Sequence, residues 1–161
     1  MKKIKYLILL EILCCITIRG FSQETASKRI EHFNLNDTKV AIKGWDVVSY
    51  FNQKEPSEGN SNFKHTYNGV TYWFKNQGNK DLFVANPEKY EPSYGGWCSY
   101  AMGNTGEKVE VDPETYKIIN GKLNLFYNFY FNNTLKKWNK NETNLKKKAD
   151  NNWDKIFKGS K

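Results

Sequence analysis

Hydrophobic and polar residues follow period two in two short stretches of this chain, and a spacing near 3.6 takes over towards its end. The first stretch, Phe63–Phe74, contains Asn68-Gly69, the preferred two-residue turn between antiparallel strands because both turn positions need left-handed backbone. In that register Tyr67 faces Val70, His65 faces Tyr72 and Phe63 faces Phe74, so these six side chains share one face. The second stretch turns at Asn120-Gly121. There Ile118 faces Leu123 and Tyr116 faces Leu125, with Lys117, Lys122 and Asn124 nearer solvent. Val40–Phe51, rich in β-branched and aromatic residues, reads as another strand.

Helices are predicted between and after the hairpins. Asn76 can cap a helix through Asp81-Leu82-Phe83-Val84 that ends near Asn86-Pro87 and leans on Leu82 and Phe83 for packing. Pro87–Tyr90 reads as a short turn opened by proline. Gly95-Gly96 lets a further helix, Trp97–Met102, start against the first hairpin. Phe126, Tyr130, Thr134 and Trp138 then form a helical stripe, and Leu145, Ala149, Trp153 and Ile156 form another. The change of period predicts an α+β fold: a small antiparallel sheet built from hairpins, packed with short helices and two C-terminal helices.

The N-terminus carries Lys2, Lys3 and Lys5 ahead of an apolar run from Tyr6 to Ile18 that Glu11 interrupts. This is the pattern of a secretory signal peptide, with cleavage expected between Ser22 and Gln23. The run is too short, and Glu11 too costly at mid-depth, for a bilayer-spanning helix. The expected organisation is signal peptide 1–22, polar lead-in 23–39 with at most a short helix, domain 40–157 and basic tail 158–161. The expected location is periplasmic or secreted, with no transmembrane segment after cleavage. The whole chain has a net charge of +8; from Gln23 onwards 21 basic side chains face 16 acidic ones, which leaves +5. Lys136, Lys137, Lys140, Lys146, Lys147 and Lys148 supply much of the excess. Such a face suits solvent or weak contact with anionic surfaces. Without interleaved stacking side chains it does not suit nucleic acid.

Cys14 and Cys15 fall in the leader, so Cys98 is the one thiol expected in the processed chain, and no internal disulfide can form. One helical turn separates Cys98 from Met102. Joined by His65, a thiolate, a thioether and an imidazole would favour copper(I); a buried apolar Cys98–Met102 pair explains the same spacing by packing. A cysteine-dependent enzyme needs an accessible thiol of lowered pKa and a base, for which only His65 and His32 are present. There is no Cys-x-x-Cys pair for redox work and no phosphate-binding loop. Tyr72, Trp73, Tyr94, Trp97 and Tyr100 can line an aromatic pocket for a small ligand or share a core. Asp46 and Asp81 read as structural hydrogen-bonders, and Glu107, Glu110 and Asp112 as part of a solvent-facing strand.

Several segments in order, Gly44-Trp45-Asp46-Val47-Val48-Ser49-Tyr50-Phe51, Tyr67-Asn68-Gly69-Val70-Thr71-Tyr72-Trp73-Phe74, Asn86-Pro87-Glu88-Lys89-Tyr90 and Tyr94-Gly95-Gly96-Trp97-Cys98-Ser99-Tyr100-Ala101-Met102, give the chain its character. Asp112-Pro113, Ile118–Leu123 and Ala149–Trp153 follow. This arrangement resembles secreted bacterial YHS-domain proteins. The resemblance implies a compact α+β domain outside the cytoplasm. Some YHS relatives accompany heavy-metal handling through cysteine-rich motifs, and residues 44–51 and 75–79 here carry no cysteine. The expected function is therefore an exported non-enzymatic binding domain, for a soft metal such as copper at Cys98, Met102 and His65, or for a small ligand at the aromatic set. The alternatives are a cysteine-dependent enzyme or redox protein, and a purely structural or interaction domain with Cys98 in its core.

Overall fold

A computed structural model describes residues 25–53 and 55–159. The predicted leader lies outside the described residues. Helix α1 spans 25–32, and Ser49–Asn52 forms a one-turn helix α2. Strands β1 (Asn60–Tyr67) and β2 (Val70–Phe74) make the first hairpin. Then come α3 (Gln77–Ala85), α4 (Pro87–Tyr90), a 3-10 turn at Ser93–Gly96 and α5 (Ser99–Asn104). Strands β3 (Asp112–Ile119) and β4 (Lys122–Phe126) make the second hairpin, and β5 (Asn128–Phe129) with β6 (Asn132–Asn133) a miniature third. Helices α6 (Thr134–Trp138) and α7 (Glu142–Lys158) close the chain. The result is the mixed α+β fold of hairpins, short helices and two C-terminal helices that the change of period predicts, with each hairpin forming its own two-stranded sheet.

Both Asn-Gly turns stand where expected. Tyr67 pairs with Val70 and His65 with Tyr72; Ile118 pairs with Leu123 and Tyr116 with Leu125. Beyond Lys64 an irregularity shifts the first ladder, so Phe74 faces Asn60 rather than Phe63. Val70, Tyr72 and Phe74 are buried on one face of β2 and meet Phe83, Val47, Val48, Leu123 and Leu125 in the main core. A second cluster joins Ile119, Phe126, Trp138 and Leu145. A third joins Tyr94, Met102 and Ala149, with Trp97, Trp153 and Ile156 against it. The Leu145–Ala149–Trp153–Ile156 stripe thus does face inward along α7. A Cβ on Gly103 would stand 2.5 Å from the Leu145 carbonyl oxygen, so α5 lies against the α7 backbone only because that position has no side chain.

Four expectations are corrected. Val40–Phe51 is not a strand: Ala41 N donates to Thr71 O and Thr71 N to Lys39 O beside β2, but Ile42, Lys43 and Gly44 then all take positive φ. That left-handed run ends any strand. Phe126–Thr134 is not helical. Phe126 closes β4, and the segment doubles back through β5 and β6 before α6 begins, capped by Asn133 accepting from Lys136 N. Leu82 does not pack α3; it is 46% exposed, and Phe83 is the apolar residue buried there, while the Asn76 cap accepts from Asn79 N as predicted. Asn124 is buried, not solvent-facing, and accepts from the Ser99 hydroxyl.

Candidate ligand-binding cleft

The segment 25–36, featureless in its hydrophobic pattern, supplies through Phe33 one wall of an open cleft. Arg29 on α1 reaches across the domain to Glu91, donating to both carboxylate oxygens, and its Nε donates to Asn68 O in the first hairpin turn. Tyr72 adds a third donor to Glu91 at 2.5 Å. The guanidinium stacks 4.4 Å from the Phe33 ring centroid and 5.4 Å from that of Tyr67, an arrangement that a planar cation favours. Burial works against the Arg29 charge, but Glu91 more than offsets it and leaves the guanidinium pKa raised. This pairing fixes α1, and with it Phe33, on the body of the domain.

The opposite wall is α7. Tyr94, in the 3-10 turn, has φ 55 and is buried. Its hydroxyl donates to Asp150 Oδ1 at 2.9 Å, and Lys146 donates to Asp150 Oδ2 at 2.8 Å. Gly95 follows with φ 62. A Cβ there would stand 2.8 Å from the Trp153 ring and 2.9 Å from that of Phe33, so glycine is what lets the turn reach between these two aromatics. Phe33 and Trp153 lie 5.9 Å apart, and Trp153 stacks on Phe157 at 5.7 Å. Together with the β3–β4 turn at Ile119-Asn120 and the rim residues Glu88 and Lys122, these walls enclose an open cleft of about 440 Å³. A second hollow of about 490 Å³ continues it past Lys146 and Asp150 towards Glu142. Both volumes suit a small organic ligand.

The five aromatic residues singled out in the sequence do not converge on this cleft. Tyr94 lines it. Tyr72 is buried behind it and reaches it only through Glu91. Trp73 is on the outer face of β2 and covers Gly44. Trp97 donates its Nε1–H to His32 O at 2.7 Å. Tyr100 lines a separate 210 Å³ hollow beside Cys98, with Lys137 over its ring.

The proposed soft ligands are likewise distributed. Cys98 is 0% exposed and precedes α5 rather than lying in it: its ψ of 114 is extended, and its N–H donates to Val109 O. The Trp97–Met102 helix thus starts two residues later than expected, and the helical face that was to carry both sulfurs does not form at Cys98. Its sulfur receives Tyr127 N–H at 3.4 Å and lies 3.5 Å from the Thr134 hydroxyl. Met102 belongs to the third cluster with Tyr94 and Ala149. His65 stands on β1, 6.2 Å from the Phe83 ring. Among the described residues, no three His, Cys, Asp or Glu side chains group closely enough to hold a metal ion.

Glu91, Asp150, Lys146 and Arg29 were missed by sequence reasoning. Trp153 carried a signal, as a member of the apolar stripe of α7, and Glu91 a weak one, as the residue before Pro92. Nothing local marks Arg29, whose partner is 62 positions away.

Three buried tyrosines make the fold sensitive to alkali. Burial raises the phenol of Tyr72 well above its ordinary value, and the charge of Glu91 adds to this. Tyr94 is raised by burial and then by Asp150, and Tyr50 by burial and then by the charge of Asp112. A group whose folded pKa is raised contributes stability that is intact below its unfolded value, near 10, and lost as pH rises beyond it. Urea unfolding should therefore show stability falling above about pH 10, by as much as ~1.4 kcal/mol per pH unit for each phenol that stays protonated only when folded. Tyr94→Phe should flatten the slope; equal slopes for variant and parent would contradict this assignment.

No helix among the described residues is long and apolar enough to cross a membrane. No family model, no curated protein and no solved structure matches this chain.

Proposed function

We propose that the chain is an exported, non-enzymatic binding domain that takes a small organic ligand in the cleft between Phe33, Tyr94 and Trp153. The ordered segments that resemble secreted YHS-domain proteins, and the leader-like N-terminus, support the export reading. One observation carries the binding reading: Tyr94 is held in a left-handed backbone conformation at the cleft wall, with its hydroxyl fixed to Asp150. A bulky residue with positive φ costs energy and is retained where the surroundings over-determine it, and such residues cluster at ligand-holding sites. The cleft offers one aromatic side and one polar side. Of its carboxylates, Glu91 is committed to Arg29 and Tyr72 and Asp150 to Tyr94 and Lys146, while Glu88 stands at the rim. Groups so pinned serve orientation and recognition better than proton transfer. The ligand class is therefore a small molecule with one flat or apolar face and hydrogen-bonding groups along its edge.

Copper(I) binding is the lesser reading, because Cys98 and Met102 sit in different packing clusters and His65 lies against Phe83. The lysine-rich C-terminal surface supplies weak attraction to anionic surfaces.

Thermal unfolding in the presence of monosaccharides, nucleosides, aromatic amines and amino acids tests the proposal. A ligand at about 100 times its Kd stabilises the folded state by about 2.7 kcal/mol, enough to raise Tm by several degrees. Trp153→Leu and Lys146→Met should abolish that rise. A panel with no effect, or a rise that survives both variants, would remove the cleft from consideration.

A further inference from the structure

Among the described residues, three two-residue turns between paired strands have positive φ at both positions. Asn68-Gly69 has φ 45 and 83, Asn120-Gly121 has φ 51 and 75, and Tyr130-Phe131, between β5 and β6, has φ 52 and 63. The left-handed region suits glycine and asparagine, and disfavours bulky side chains. The chain thus uses the unstrained pair twice and places two aromatics in the third turn. Packing does not compensate: Tyr130 is 91% exposed and Phe131 fully exposed. Phe129, at the base of this finger, rests edge-on against Tyr127 at 5.1 Å and is itself exposed in part. Folding alone gives no reason for aromatic residues at this tip.

From Thr115 to Asn141 there are five lysines and no aspartate or glutamate. Lys117 is paired with Glu142 and Lys122 stands at the cleft rim, which leaves Lys136, Lys137 and Lys140 as the basic residues that follow the finger. Helix α6 begins at the residue after β6, and Lys136, Lys137 and Lys140 on and just beyond it are exposed. Acidic groups also approach the base of the finger from other elements, with Glu114 exposed on β3, while Lys136, Lys137 and Lys140 stand on the α6 side. Asp112 accepts from the Thr115 hydroxyl and the Asn128 amide, and Glu107, which shares a shallow hollow with Asn132, accepts from the Thr105 hydroxyl.

We infer that the Tyr130-Phe131 finger inserts into the interfacial layer of a lipid bilayer rich in anionic headgroups, with the lysines of α6 resting on those headgroups. Aromatic side chains partition to the boundary between headgroups and acyl chains, and neighbouring basic residues add electrostatic attraction to an anionic leaflet. A second copy of the chain is a poorer occupant, because it would bring the same positive field to the same place. This surface is separate from the Tyr94–Trp153 cleft and stands without it.

The test is cosedimentation of the whole chain with vesicles of mixed phosphatidylglycerol and phosphatidylcholine, and with phosphatidylcholine alone. The decisive variant is Tyr130→Asn/Phe131→Gly, which gives the third turn the residues of the other two and should leave the unfolding midpoint equal or higher. Parent and variant share the same N-terminal segment, so their ratio reports the tip. Partitioning to the anionic vesicles should fall by roughly 10-fold or more in the variant, and also fall for Lys136→Gln/Lys137→Gln/Lys140→Gln and at high salt. Equal partitioning of parent and tip variant would overturn the inference. So would a parent that ignores anionic vesicles, or one that forms a concentration-dependent dimer which the tip variant abolishes.

Discussion

Glu91→Ala should lower the stability of the folded chain by about 3–5 kcal/mol, the range seen when one partner of a buried ion pair is removed. The loss follows from what remains. Arg29 keeps a nearly buried guanidinium facing no carboxylate, and the Tyr72 hydroxyl, deep in the main core, loses its acceptor. Removing both charges is a different experiment. Arg29→Met/Glu91→Leu replaces the pair with apolar volume and should recover more than half of the loss, because no uncompensated charge is left behind. Urea denaturation of the single and double variants checks both statements. A Glu91→Ala variant within about 1 kcal/mol of the parent would mean that water reaches Arg29 freely, as at an exposed pair. The same variant should also loosen the cleft, since Arg29 anchors the helix that delivers Phe33.

Asp46→Ala should cost about 3 kcal/mol or more, since each buried donor left without an acceptor costs roughly 1–3 kcal/mol. Asp46 is 0% exposed, and the donors that reach its carboxylate are two backbone N–H groups and one amide. One carboxylate oxygen accepts Val48 N–H, and the other accepts Lys75 N–H and the Asn79 amide. Three separate pieces of chain, the turn before α2, the end of β2 and the first turn of α3, are joined through this one side chain. Asp46→Asn separates charge and geometry. An amide presents a donor where the site offers only donors, so it should be nearly as damaging as alanine. An asparagine variant of parental stability would show that the acceptor requirement is wrong.

The sequence reads clearly where a local rule leaves little choice. Asn-Gly between alternating residues fixes both long hairpins because few other pairs tolerate left-handed backbone at both positions. The cap at Asn76 and the inward stripe of α7 are local for the same reason. Reading fails where two rules give the same pattern. Phe126, Tyr130, Thr134 and Trp138 satisfy helical spacing, yet the backbone reverses at Tyr130-Phe131, a pair with no turn propensity to announce it. Val40–Phe51 has strand composition, but Asp46 offers its neighbours side-chain acceptors that compete with a ladder, and Ile42-Lys43-Gly44 turns away from β2. The cleft is the least legible feature. Its polar side is assembled from Glu91, Lys146 and Asp150, and Glu91 is held by Arg29 and Asp150 by Tyr94 through contacts 62 and 56 positions apart in the chain. Tyr94 was recognisable as an aromatic candidate; its strained backbone and its bond to Asp150 were not.

The most direct test of the binding role is an amide chemical-shift map of the isotopically labelled protein titrated with the compound that most raises Tm. Saturable shifts confined to Glu91–Gly96, the Ile119–Lys122 turn and the Lys146–Trp153 face of α7 are the predicted result. Shifts centred elsewhere, on the Cys98 hollow or the outer face of β2, or no saturable shift with any compound, would contradict it.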